Sequence, residues 1–146
     1  MDYEEYEKKC EQIQAENEKH LEAFEVWLTK KELSEKTIYQ HLGNTEFYLN
    51  TYLLREDAID MRQGCHQLYD YFGYFFIRKC MWSTPGNIKT TAVSLKKFYK
   101  CMLENERIAP EEYEELCETI EENMEEWQET CGIYNDPSQE NPFAYF

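Results

Sequence analysis

Apolar side chains recur along this chain at steps of three and four residues, and runs that alternate apolar with polar are almost absent. That period restricts the chain to helices that each bury one stripe, and it leaves no place for a sheet as the organising layer. A length of 146 residues suits a single domain with a real core. The net charge of −15 would fit a disordered acidic chain, but 42% hydrophobic and 16% aromatic residues supply enough material to fold. The expected fold class is all-α, a compact bundle of four to five helices.

The first helix is expected to carry Tyr3, Tyr6, Cys10, Ile13, Asn17, His20, Phe24 and Trp27 on one stripe. Asn17 and His20 interrupt the apolar seam. Residues 1–20 are therefore expected to project from the domain as an extension continuous with the first core helix, with a helical oligomer through Tyr3–Ile13 as an alternative. Ser34 can cap a second helix with Ile38, Leu42, Thr45, Leu49 and Tyr52 on one face. After a turn near Arg55–Asp57, a third, aromatic helix is expected from about Met61 or Gly64 to Lys79.

Ser83-Thr84-Pro85 opens a fourth helix, a hydroxyl cap followed by proline at the first helical position, with Ile88, Ala92, Leu95, Tyr99 and Met102 on its stripe. Pro110 opens a fifth, with Tyr113, Ile120, Met124 and Trp127 inward and Gly132 as a left-handed stop. The organisation that follows is a helical extension at 1–20, a core at 21–108, an acidic helix at 109–131 and an irregular aromatic tail at 132–146. The core is expected to contain Phe24, Trp27, Leu28, Ile38, Leu42, Leu49, Leu68, Phe72, Ile88, Leu95, Phe98 and Met102.

Charge is segregated along the chain. Residues 1–70 sum to −8, residues 71–103 hold six basic and no acidic side chains, and the remainder sums to −13. On the fourth helix Lys89, Lys96 and Lys100 lie seven and four apart and share one side, with Lys97, Thr90, Thr91 and Ser94 nearby. Such a face is either ordinary solvated surface or a place for phosphates. The fifth helix has ten Glu between Glu111 and Glu129 and no Lys or Arg, so burial of its stripe must hold it. The short link at Arg107–Pro110 allows it to fold back beside the fourth helix and screen those lysines.

Several chemistries are not expected. There is no glycine-rich phosphate loop, no HExxH, and no nucleophile–base motif around His20, His41 or His66. The six cysteines lack CxxC spacing; Cys65–His66 is the one close Cys/His pair, and adjacent residues diverge on a helix. Reduced thiols packed as small hydrophobes are the expectation, with no metal site and no cofactor. No stretch reaches the roughly 18 to 20 apolar residues of a membrane span. The acidic start MDYEEYEKKCEQ is unlike a secretory signal, so a cytoplasmic location is expected.

Leu21 to Ile108, about 60% of the chain, resembles the N-terminal core-binding (SAM-like) domain of the tyrosine recombinase, or phage integrase, family. The segment LEAFEVWLTKKELSEKTIYQHLGNTEFYLNTYL is similar to the family opening, an aromatic-Leu helix end followed by Leu-Ser-x-x-Thr-Ile. STPGNIKTTAVSLKKFYKCMLENERI is similar to its closing helix, with Ser-Leu-Lys-Lys-Phe-Tyr at the centre. The resemblance implies a domain that forms half of a clamp around duplex DNA, with the second and fourth helices facing it. By position it nominates Lys36, Thr37 and Gln40 on the second helix, and Lys89, Thr90, Lys96, Lys97 and Lys100 on the fourth.

Strand exchange is not implied. It needs two arginines, a lysine, histidines and a tyrosine nucleophile on a separate domain, and the 38 residues after Ile108 contain no His, Lys or Arg. The expectation is a non-enzymatic DNA-binding or recombination-accessory module with no small-molecule substrate. The alternative is an acidic protein-interaction module that engages a recombinase or another basic, DNA-binding partner.

Overall fold

The computed structural model describes residues 2–80 and 83–135; they are all-helical, without a strand among them. The described residues form six helices. Asp2 caps α1 (Tyr3–Thr29) by accepting from the Glu5 amide at 2.9 Å. Ser34 does the same for α2 (Glu35–Glu46), which runs on through a wider π-helical stretch, Phe47–Tyr52. A short α3 (Met61–Gly64) follows. Then comes α4 (68–79), in which a second π-helical stretch, Tyr71–Phe75, separates two α-helical turns. Thr84 caps α5 (Pro85–Glu104), with the proline at its first position as the sequence predicts. The last, α6 (Pro110–Asn135), packs antiparallel along α5: Gln128 bonds Pro85 O and Asn135 bonds Ser83 O at one end, while Tyr113 meets Lys100 at the other. None of the described helices is long and apolar enough to cross a membrane.

The core lies where α5 meets α1, α2 and α6. Phe24, Leu28, Leu49, Leu68, Phe72, Ile88, Leu95, Phe98 and Met102 are buried as expected; Trp27, Ile38 and Leu42 are half-buried at its margin. Four tyrosines, Tyr48, Tyr52, Tyr71 and Tyr99, are buried as completely as the phenylalanines. The two π-helical stretches bring their rings together, Tyr48 and Tyr52 each 4.7 Å from Tyr71. Buried hydroxyls usually have partners, and three of these four do, the Tyr71 hydroxyl being the exception. Tyr48 Oη donates to Gly64 O at 2.5 Å, Tyr99 Oη to Met61 O at 2.8 Å, and Tyr52 Oη to Asp70. A Cβ at position 64 would stand 2.5 Å from Leu53 Cδ1 and 2.9 Å from Tyr99 Oη, so any larger residue there forces these side chains to shift.

Three expectations are corrected. The first half of α1 does not project freely. Ile13 and Asn17 are buried, Asn17 Nδ2 donates to Asn50 Oδ1 at 2.8 Å, and Tyr6 bonds Leu54 O, so a small second cluster with Leu54 and Ala58 holds it down. A polar stripe residue here meets a polar partner rather than water. The expected third helix is two, because the chain turns at 65–67. Gly132 does not stop α6, which continues to Asn135, and no described glycine has positive φ. The left-handed positions belong instead to Glu32 and Glu106, each at φ 59° just past a helix end. The aromatic ending Pro142–Phe146 lies outside the described residues.

His20 ties α1 to the loop after α5, its Nδ1 accepting from Arg107 Nη1 at 2.7 Å. Burial, with the Arg107 charge second, lowers its pKa to about 4. The unfolded chain takes up this proton near pH 6.5, the folded chain only near 4, so stability is full above 6.5 and falls as pH drops across that window. Urea midpoints compared between neutral and mildly acidic pH should show this fall, and His20→Gln should flatten it.

Candidate polyanion-binding face

The inward stripe of α5 is taken by Ile88, Thr91, Ala92, Leu95, Phe98, Tyr99 and Met102. The 3.6-residue period then turns Lys89, Lys96 and Lys100 to solvent on one ridge, with Val93 exposed between them and Lys97 half-buried at the side. From Lys89 to Lys100 the ridge rises about 16 Å, at 1.5 Å per residue.

Tertiary packing adds what the sequence stripe does not contain. The C-terminal end of α1 and the first turn of α6 flank this ridge, and Trp27, Lys31 and Tyr113 join Lys96, Lys97 and Lys100 around a depression of about 470 Å³. Lys31 Nζ stands 4.7 Å above the Trp27 ring and Lys100 Nζ 5.4 Å from the Tyr113 ring, so each aromatic face supports an ammonium group. Trp27 Nε1 donates to Glu104 Oε2 at 2.7 Å, which fixes the indole; Glu104 is the carboxylate in this depression. An adjoining depression of about 380 Å³ shares Val93 and Lys96, and adds Lys89, the apolar Ile120 and Met124, and Glu121.

The residues nominated on α2 are arranged differently. Lys36 and Gln40 are exposed, whereas Thr37 is half-buried and its hydroxyl accepts from Ser34 Oγ at 2.9 Å. Thr90 spends its hydroxyl on Gly86 O at 3.0 Å. Helices α2 and α5 are joined by His41 and Asn44, which reach Ser94 Oγ at 2.7 and 3.1 Å. This Ser–His pair is not a nucleophile and its base, since Ser94 is 0% exposed and no substrate can reach it. Burial lowers the His41 pKa, and the nearby Lys97 charge lowers it further, so Lys97 sits at the α2–α5 seam. Lys36, Thr37 and Gln40 thus occupy the neighbouring helix, and among the described residues no hydrogen bond or ion pair links them to the α5 lysines.

The acidic helix does fold back beside α5. Among the described residues, however, the basic side chains within 4 Å of a carboxylate are Arg55, Arg62 and His66, not the lysines of the ridge. Of the ten glutamates on α6, Glu121 lines the smaller of the two lysine depressions; Glu114, Glu118, Glu122 and Glu125 are exposed and line neither. Elsewhere α1 and α2 enclose an acidic groove of about 410 Å³ lined by Glu18, Glu22, Glu25 and Glu46. No family model, curated protein or solved structure matches the chain.

Proposed function

We propose that this chain is a non-catalytic helical module of the core-binding (SAM-like) recombinase type. It binds double-stranded DNA weakly, as an accessory to recombination, and acts in the cytoplasm. The observation that carries the reading is the ridge itself: Lys89, Lys96, Lys97 and Lys100, joined by Lys31, with no carboxylate within 4 Å among the described residues, on a protein of net charge −15. Ammonium groups on one face that hold no ion pair have none to break when they meet phosphates, and they release counterions as they do so. Lys36 and Gln40 extend the contact onto α2. Trp27 and Tyr113 hold the ammonium groups of Lys31 and Lys100 beside the ridge.

Anisotropy of a labelled duplex, titrated at several salt concentrations, tests this. Four to six phosphate contacts predict a log–log slope of roughly −4 to −5, from about 0.9 per contact. Absence of binding at about 50 mM salt, or a slope near zero, refutes it.

The acidic groove between α1 and α2 favours a second reading, a protein-interaction module for a basic partner such as a recombinase or another DNA-binding protein. Four glutamates around one depression present a field that attracts arginine and lysine side chains and repels a polyanion. Both surfaces can operate in one molecule, and failure of the duplex titration leaves this second surface as the functional one.

A further inference from the structure

Away from the lysine ridge, at the join between α3, α4 and the first turn of α6, three different metal-ligating side chains converge. Cys65, His66 and Glu112 each offer one ligand atom, and these atoms all lie within 4.8 Å of one another. Cys65 Sγ is 3.7 Å from Glu112 Oε2, and His66 Nε2 is 3.4 Å from the same oxygen. A tetrahedral zinc ion, bonded at about 2.3 Å to sulfur and about 2.0 to 2.1 Å to nitrogen and oxygen, sets sulfur and oxygen about 3.5 Å apart and nitrogen and oxygen about 3.3 Å apart. Two of the three edges therefore already stand close to the lengths a bound ion would impose.

We propose that Cys65, His66 and Glu112 form a binding site for one divalent cation of zinc-like, borderline character. The surroundings orient the ligands as metal sites require. Glu112 Oε1 accepts from the Ala109 amide at 2.9 Å and from Arg62 Nε at 2.9 Å, which leaves Oε2 turned toward Cys65 and His66. The other nitrogen of His66, Nδ1, faces Glu115 Oε2 at 3.5 Å, the carboxylate–histidine arrangement that fixes a ring with Nε2 toward a metal. The His66 side chain is 40% exposed, so an ion has access from solvent and a water can complete the fourth position.

A sulfur, a nitrogen and an oxygen ligand select zinc over the hard cations magnesium and calcium. The charges balance as well: on binding, the Cys65 thiol releases its proton to solvent, and thiolate plus carboxylate offset the two positive charges of the ion. Adjacent residues diverge within a helix, which is why Cys65–His66 read as a poor chelate. In the fold α3 ends at Gly64 and the pair sits in the turn that follows, where successive side chains can converge. The third ligand comes from 46 residues further along, beyond any local spacing rule.

Titration of the reduced protein with Co²⁺ tests the site, with an absorption readout independent of any activity. The expected result is a one-to-one complex with a sulfur-to-cobalt charge-transfer band and the visible bands of tetrahedral cobalt, displaced by Zn²⁺. His66→Ala should abolish it, and Glu115→Gln should weaken it about 10- to 100-fold. Both side chains are well exposed, at 40% and 61%, so helical circular dichroism should be unchanged in the two variants. Cys65→Ser should remove the charge-transfer band specifically. Cobalt that binds without a sulfur band, or with undiminished affinity in His66→Ala, overturns the proposal and assigns the cluster to an ion-pair network of Arg62, His66, Glu112 and Glu115.

Discussion

Truncating Phe98 to alanine is expected to cost about 3 to 5 kcal/mol of folding stability. Phe98 is 0% exposed at the centre of α5 and points its ring at Phe24 of α1, 5.3 Å away in an edge-to-face arrangement, with Tyr99 at 5.0 Å. Losing the ring removes its transfer free energy and leaves a cavity that its neighbours cannot close, because Phe24 and Leu95 are themselves 0% exposed within rigid helices. Urea denaturation is the measurement. Val93→Ala, on the same helix but 40% exposed, is the control and should move stability by no more than about 0.5 kcal/mol. Phe98→Leu should recover most of the loss. A cost below about 1 kcal/mol for the alanine variant would mean that α1 and α5 do not meet through this pair.

Helices α1, α2, α5 and α6 were legible in the sequence for a simple reason: a stripe at 3.6-residue spacing is a local signal, and so are Ser34 and Thr84-Pro85 as starts. What was not legible depends on pairs distant in sequence. Tyrosine reads equally well as core or surface, and the acceptors Gly64 O, Met61 O and Asp70, all remote from their donors in sequence, satisfy the hydroxyls of Tyr48, Tyr99 and Tyr52. Asn17 reads as a break in a seam until Asn50 is found opposite it.

The site divides in the same way. The lysine ridge of α5 is a helical spacing and was visible. Trp27, Lys31 and Tyr113 reach it only because α1 and α6 pack on either side of α5. Glu112, 46 residues beyond His66, meets Cys65 and His66 for the same reason.

Reversing two lysines at the centre of the ridge, Lys96→Glu with Lys100→Glu, is expected to lower duplex affinity at least about 100-fold at about 50 mM salt. The magnitude follows from counterion release. Each phosphate contact contributes about 0.9 to the log–log slope, and about 50 mM lies 1.3 decades below a 1 M reference, so one contact is worth roughly a factor of 15 there. Two lost contacts multiply to about 200-fold, flatten the slope by about two, and leave two carboxylates facing phosphate. Both side chains are exposed and glutamate is a good helix former, so the fold should be retained. The reversal also moves the net charge by four, from −15 to −19, and a more negative protein repels DNA wherever the charges sit. Lys9→Glu with Lys19→Glu makes the same change on exposed positions of α1 and isolates that effect. At this salt the screening length is roughly 14 Å, so charges remote from the contact should matter by no more than a few-fold. If both pairs lose affinity equally, the ridge makes no local contact with DNA, and the acidic groove between α1 and α2 becomes the surface on which to seek a partner.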